Sequence, residues 1–128
     1  AVLCLLSALQ FHQVGTQMPH ELWIALPTGS QTPALTYPKL RIARLSGAAY
    51  GEGIETVTEH GAPIRVYSVA KTVTDCFKFR NKIGLDVALE ALKDAWRTRK
   101  LTMADVNHFA KINRVERVMQ PYLEAVAA

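Results

Sequence analysis

The spacing of hydrophobic residues changes at Ser68. Before it, Ile54–Glu59 and Pro63–Tyr67 alternate apolar with polar residues on the two sides of Gly61, a pattern that is typical of a β-hairpin. After it, apolar residues recur every three or four positions, as they do in helices that bury one face. Because strands are followed by helices and do not alternate with them, the chain is predicted to adopt an α+β fold.

The residues before this hairpin predict one helix and two further strands. A broad apolar stripe over residues 1–12 is typical of a buried helix, and Glu21–Pro27 and Leu40–Leu45 have the composition of short strands. The segment Ser46–Gly53 has room for one helical turn. The predicted order is therefore an N-terminal helix, a small sheet of about four strands, and three to four C-terminal helices.

Several residues indicate where the C-terminal helices begin and end. Ser68 has the side chain of a helix N-cap, and Asn81 and Gly84 are predicted to end the helix that follows it. Thr102 opens a sequence that resembles a capping box at the start of a later helix. Pro121 is predicted to kink or split the last helix, because proline lacks a backbone N–H.

The chain has the length and composition of one globular domain. It contains 128 residues, of which 49% are hydrophobic and 20% are charged, and these values argue against disorder and low complexity. The sequence opens at Ala1 with an apolar helical pattern and without the basic residues of a signal peptide. We therefore expect a single domain over residues 1–128 that is the C-terminal portion of a longer protein.

Positive charge is concentrated in the second half of the chain. Residues 1–64 contain three basic and four acidic side chains, whereas residues 65–128 contain twelve basic and seven acidic ones. The basic residues of the second half include two groups, which form either a solvated polar face or a patch that binds a phosphate backbone or an acidic protein surface. The members of these groups are Lys71, Lys78, Arg80, Lys82, Arg97, Arg99 and Lys100.

Cysteine and histidine usage does not indicate a metal site. Cys4 and Cys76 are the only cysteines, and both lie in apolar stretches, so we expect two reduced core thiols in a cytoplasmic protein. The four histidines are scattered and lack the spacing of metal ligands. We therefore predict that the chain holds no metal and no cofactor.

Patterns that are typical of catalysis are incomplete in this sequence. Ser68 and Lys71 have the S-x-x-K spacing of serine acyl enzymes, but the partner motifs are absent and an N-cap explains Ser68. The Glu-x-Lys and Asp-x-Lys patterns expected of a metal-dependent nuclease do not occur, and we assign no catalytic residue. Asp75 has Lys71 and Lys78 as i−4 and i+3 neighbours, which favours a structural ion pair over partner binding.

The stretch from Tyr67 to Phe77, YSVAKTVTDCF, is similar to a known family. It resembles the C-terminal domain of AbiEi-type antitoxins, the transcriptional-regulator half of bacterial abortive-infection (type IV) toxin–antitoxin pairs. The motif residues, for which a structural or partner-binding role is expected, are Ser68, Lys71, Thr72 and Asp75. Supporting stretches are LCLLSAL at 3–9, LWIALP at 22–27, and RNKIGLD at 80–86 before Ala88 and Leu89.

The resemblance implies a two-part, non-enzymatic protein. An N-terminal winged helix-turn-helix, which residues 1–128 lack, would bind promoter DNA. The present domain would support repression and counteract a nucleotidyltransferase-like toxin, with or without direct contact, and no membrane partner is implied. Two alternatives stay open. One is a degenerate metal-dependent nuclease-like enzyme, with Asp75, Asp86 or Glu90 gathered around a metal, and the other is a structural dimerisation module.

Overall fold

The computed structural model describes residues 1–128 and shows one five-stranded sheet with seven helices, which confirms the α+β class. None of the helices combines the length and the apolar character that crossing a membrane requires. The strands are β1 (Val2–Leu3), β2 (Leu22–Pro27), β3 (Leu40–Leu45), β4 (Ile54–Glu59) and β5 (Ala62–Tyr67). The helices are α1 (Leu5–His12), α2 (Ala48–Gly51), α3 (Val69–Lys78), α4 (Arg80–Ile83), α5 (Leu85–Arg97), α6 (Met103–Ile112) and α7 (Glu116–Ala127).

The sheet has the strand order β3-β2-β1-β5-β4. Its middle strand, β1, has only two residues: Val2 lies opposite Ala25 of the antiparallel β2, and Leu3 lies opposite Val66 of the parallel β5. On the outside, β3 runs parallel to β2, and β4 runs antiparallel to β5. The short β1 therefore joins two two-stranded halves into one sheet.

The start of the chain differs from the prediction. The first helix begins at Leu5 and not at residue 1, because Val2 and Leu3 pair with strands on both sides and Cys4 is extended. The sheet therefore has five strands, where about four were predicted. Two apolar residues fit the pattern of a strand and of a buried helix equally well, so hydrophobic spacing did not separate the two.

The predicted hairpin is confirmed. β4 and β5 pair antiparallel and leave His60 and Gly61 as a two-residue turn. Their φ angles are 50° and 80°, and positive φ at both central positions is the mark of a type I′ turn, whose twist matches that of the flanking strands. The predicted strand Leu40–Leu45 and the helical turn within Ser46–Gly53 are also present, as β3 and α2.

Helix α3 lies in the interior of the protein. Every residue from Ala70 to Phe77 is buried, and the helix packs against α1, α5 and α6. A helix that is buried all round is ordinarily apolar. This one contains Lys71, Thr72, Thr74 and Asp75, whose polar groups must find hydrogen-bond partners inside the protein.

The C-terminal half contains five helices, where three to four were predicted. The helix after Ser68 ends at Lys78, and the four-residue α4 follows before Gly84, whose φ of 96° favours glycine. Thr102 caps α6 as predicted. The last helix, α7, continues through Pro121, so the predicted split does not occur.

Candidate functional site: a buried ion pair and the surrounding cations

The N-cap predicted at Ser68 is present. Its Oγ accepts a hydrogen bond from the N–H of Lys71 at 3.2 Å, which satisfies one of the free amides in the first turn of α3. Its own N–H donates to the carbonyl oxygen of Gly53 at 2.7 Å. The cap therefore also fastens the start of α3 to the residue that precedes β4.

Lys71 and Asp75 form an ion pair inside the protein. The Nζ of Lys71 lies 2.7 Å from Oδ1 and 2.8 Å from Oδ2 of Asp75. The two side chains are 0% and 1% exposed. The pairing at i and i+4 agrees with the structural interpretation of the sequence, but it occurs in the core and not on the surface.

Two further side chains, those of Asn113 and Tyr67, contact the pair. The Nδ2 of Asn113 donates to Oδ1 of Asp75 at 2.8 Å and to Oγ1 of Thr74 at 3.2 Å. The Nζ of Lys71 lies 4.0 Å from the centroid of the Tyr67 ring, in a cation–π contact. Both charged groups therefore have partners in addition to each other, which a buried ion pair needs.

Gly53 makes room for the stem of Lys71. A Cβ atom at Gly53 would lie 2.8 Å from Cβ of Lys71 and 3.1 Å from Cε1 of Phe109. The φ of Gly53 is 84°, which also favours glycine. Nothing in the local sequence pattern around Gly53 indicates this close approach to Lys71.

Burial shifts the pKa values of the paired groups toward one another. It raises the pKa of the Asp75 carboxyl, against the opposing effect of Lys71, and it lowers the pKa of the Lys71 ammonium, against the opposing effect of Asp75. Burial also raises the pKa of the thiols of Cys4 and Cys76, and Asp75 adds to both shifts. These two buried, unbridged cysteines therefore lack the low pKa of a reactive thiol.

Burial corrects the assignment of Lys71 to a basic surface. Its ammonium group is 0% exposed and paired with Asp75, so it cannot contact DNA or a partner. Thr72 is equally buried, and its Oγ1 lies 3.3 Å from the carbonyl oxygen of Tyr67. Of the two roles expected for the motif residues Lys71, Thr72 and Asp75, partner binding is therefore wrong, and the contacts of these residues are structural.

The other six basic candidates are partly or fully exposed and lie in two groups. One group lies around the junction of α3 and α4, and the other lies at the C-terminal end of α5. Because α5 has 13 residues and a helix rises 1.5 Å per residue, a helix about 20 Å long separates them. The first group is Lys78, Arg80 and Lys82, and the second is Arg97, Arg99 and Lys100.

Some of these cations also hold the fold together. The Nζ of Lys100 donates to the carbonyl oxygens of His12 and Gln13, at 2.8 and 3.1 Å, at the C-terminal end of α1. Arg97 pairs with Asp94, one turn earlier on α5. The carbonyl groups that Lys100 contacts carry no net charge, so they do not neutralise its ammonium group. Of the six cations, only Arg97 has a carboxylate within 4.0 Å.

A second cationic feature joins residues that are distant in the sequence. Arg44 of β3, Lys78 at the end of α3 and Arg114 in the turn between α6 and α7 line a surface cavity of about 400 Å³, which we call the cationic cavity. No acidic residue lines it. Only Lys78 of the three is a candidate from the sequence, because neighbours in this triad are 34 and 36 residues apart and no local pattern connects them.

The acids named for the nuclease alternative lie in two separate places. Asp75 is buried in α3, whereas Asp86 and Glu90 line a surface cavity of about 740 Å³ beside α5. Asp94 lines the same cavity and accepts a hydrogen bond from the N–H of Gly15 at 2.8 Å. No three histidine, cysteine, aspartate or glutamate side chains of the chain gather closely enough to hold a metal ion.

Comparison with known proteins leaves the family open. No protein-family model matches the chain, and no curated protein matches it. The resemblance to AbiEi-type antitoxins therefore rests on the residues of α3 and on the three supporting stretches.

Proposed function

We propose that this chain is a non-enzymatic regulator domain of the AbiEi-antitoxin type, which supports repression at promoter DNA and counteracts a nucleotidyltransferase-like toxin. The observation that carries the proposal is the two groups of partly or fully exposed cations at the two ends of α5, of which only Arg97 has a carboxylate partner. Among the lysines and arginines of residues 65–128, only Lys71 and Arg97 have a carboxylate within 4.0 Å. A surface of this kind attracts the phosphate backbone of DNA.

The buried ion pair does not reduce the surface charge. Outside the pair of Lys71 and Asp75, residues 65–128 contain eleven basic and six acidic side chains, a net charge of +5. At 0.1 M salt, exposed charges interact over only about 10 Å, so binding through them is expected to be weak and salt-dependent. Contacts to phosphates position a protein without reading the base sequence. This suits a domain that supports a separate DNA-reading module.

The motif supports the proposal through the fold and not through contacts. Lys71, Thr72 and Asp75 lie in the core, so a resemblance at these positions concerns how α3 is packed. The winged helix-turn-helix that the resemblance implies would supply the contacts to bases. The present domain would add phosphate contacts from the exposed cations at the two ends of α5.

Replacing exposed cations tests the proposal. The variant Lys82→Gln/Arg97→Gln/Arg99→Gln removes three positive charges from the two groups. Binding of a fluorescent DNA duplex is measured by anisotropy between about 50 and about 200 mM salt. We expect weaker binding at each salt concentration, and a salt slope that falls by about one unit for each cation that contacts a phosphate.

A charge-matched variant is the control. Lys39→Gln/Arg65→Gln/Arg117→Gln removes the same charge from exposed positions outside the seven candidates. We expect it to keep the salt slope of the unmodified chain. If both triple variants lost the same DNA affinity, net charge alone would explain the attraction. If Lys82→Gln/Arg97→Gln/Arg99→Gln bound DNA as the unmodified chain does, these three cations would not contact phosphates. Either result contradicts the proposal.

A further inference from the structure

We propose that the cationic cavity binds a phosphate group, either free or as part of a phosphomonoester. Neither the resemblance nor the proposed function assigns a role to Arg44 or Arg114. The cavity forms where β3, the end of α3 and the turn between α6 and α7 meet. Its three cations therefore come together only in the folded protein.

The charge of the three cations is not balanced by the protein. None of Arg44, Lys78 and Arg114 has a carboxylate within 4.0 Å, and no acid lines the cavity. Like charges around one cavity repel each other, and a bound anion would remove this repulsion. Arg44 and Lys78 are half-buried, so water weakens their attraction for an anion less than it does at exposed positions.

Arg44 is held in place by neutral groups. Its Nη1 donates to Oγ of Ser30 and its Nη2 donates to Oγ1 of Thr32, both at 2.8 Å. These oxygens fix the side chain without neutralising it, and the Nε–H has no partner in the protein. A side chain that is ordered before binding loses less entropy when a ligand arrives. The guanidinium group is also well suited to phosphate oxygens.

Asn113 also lines the cavity. It is 4% exposed, and because its Nδ2 donates to Asp75 and Thr74, the orientation of the amide is fixed. Its Oδ1 has no partner in the protein, but this atom is buried and has no exposed surface that a ligand in the cavity could reach. A phosphomonoester carries a charge of about −1.5 to −2 near neutral pH, whereas each phosphodiester of DNA carries one negative charge. Three cations without a carboxylate partner therefore favour a phosphomonoester or free phosphate.

Calorimetric titration with inorganic phosphate tests the site. The unmodified chain is compared at low ionic strength with Arg114→Gln and with Lys78→Gln, and circular dichroism checks that each variant is folded. We expect saturable binding at one site, weakened about tenfold in each variant, the loss that corresponds to one charge-assisted hydrogen bond. Arg117→Gln and Lys82→Gln remove the same charge outside the cavity and are expected to bind phosphate as the unmodified chain does.

A parallel titration with a DNA duplex separates the two sources of phosphate. Phosphate binding that weakens only in Arg114→Gln and Lys78→Gln supports the proposal. No binding of phosphate by the unmodified chain, or equal weakening in the control variants, overturns it. Binding of the duplex alone, with the same dependence on Arg114, also overturns it, because the cavity would then belong to a DNA surface. Since Arg114 is absent from the variant that tests the proposed function, the two proposals can fail separately.

Discussion

The ammonium of Lys71 and the carboxylate of Asp75 are removed from water together, and each depends on the other. Burying a charge costs several kcal/mol, and a partner offsets this only when the geometry is good and the remaining polar atoms are bonded. Here both carboxylate oxygens lie within 2.8 Å of Nζ, and Asn113 donates to one of them. A substitution that removes one charge therefore leaves the other buried without its counter-charge.

Neutralising one member of the pair is expected to destabilise the protein strongly. Asp75→Asn keeps the size of the side chain, and we expect it to lower the free energy of unfolding by about 3–5 kcal/mol in urea denaturation. Lys71→Met is expected to have an effect of similar size. The double variant has neither charge and should lose less than the sum of the two. Arg97→Met, which removes an exposed pair, is the control and should cost under about 1 kcal/mol. Additive losses in the double variant would contradict the mutual dependence.

The contact between Gly53 and Lys71 leads to a second prediction for a single residue. Gly53→Ala places a Cβ 2.8 Å from Cβ of Lys71 at a φ of 84°, so we expect a loss of about 2 kcal/mol or more in the free energy of unfolding. Gly51→Ala is the matched control, because a Cβ there would have no atom within 4 Å. Gly51 also lies in α2, where alanine favours the helix. Equal stability of the two variants would contradict the tight packing at Gly53.

The pairing of Lys71 with Asp75 can be predicted from the sequence, but its burial cannot. The pairing follows from the spacing of four residues along one helix, which is local information. The burial depends on Gly53, Tyr67 and Asn113, which come from other elements, and lysine is rarely buried. For the same reason the cationic cavity was not predicted, since its cations are close only in the folded chain.

At the level of elements, α5 fastens the turn that follows α1. The carboxylate of Asp94 accepts a hydrogen bond from the N–H of Gly15 at 2.8 Å, and Glu90 accepts one from the N–H of Thr16 at 3.0 Å. The bond from Gly15, together with Arg97, lowers the pKa of Asp94 below its ordinary value of 3.8. A carboxyl whose pKa is lower in the folded state stabilises the protein only while it is ionised.

This fastening is expected to be sensitive to acid. As the pH falls below about 4, the Asp94 carboxyl takes up a proton in the unfolded state before it does so in the folded state, where its pKa is lower. The free energy of unfolding therefore falls as the pH drops from the pKa of the unfolded state through that of the folded state. Asp94→Asn removes this contribution. We expect a smaller fall in the free energy of unfolding between about pH 5 and about pH 3 than in the unmodified chain. Glu59→Gln, at an exposed end of β4, serves as the control. An unchanged pH dependence in Asp94→Asn would contradict the role given to this carboxylate.

Elements with a full hydrophobic period were predicted well, whereas the strand β1 and the separate helix α4 were not. The hairpin of β4 and β5 has six-residue strands and a turn that requires positive φ, so both pattern and turn chemistry indicated it. The strand β1 has two residues and no period to detect. The break between α3 and α4 was also missed, because the apolar spacing continues across Phe79 while the helix does not.

For the whole molecule, β1 and the shared core connect parts that are distant in the sequence. β1 is the only strand that contacts both β2 and β5, so the two halves of the sheet meet through Val2 and Leu3. One cluster of 26 buried residues includes side chains from strands and helices alike, among them Trp23, Phe77 and Met119. Because no part of the core is separate, the chain is expected to unfold as one unit.

Two tryptophans allow this cooperativity to be measured. Trp23 lies on β2 and Trp96 lies on α5. Trp96→Phe therefore leaves Trp23 as the fluorescent probe of the sheet, and Trp23→Phe leaves Trp96 as the probe of the helices. In each variant we expect the urea midpoint from fluorescence to coincide with that from circular dichroism. Val2→Ala at the junction, added to each of these variants, is expected to lower the free energy of unfolding by about 1–3 kcal/mol, equally for both fluorescence signals. Leu35→Ala, in an exposed loop, is the control and is expected to have little effect. If Val2→Ala shifted the midpoint of Trp23 alone, one half of the sheet would be unfolding independently of the helices, which contradicts a single cooperative unit.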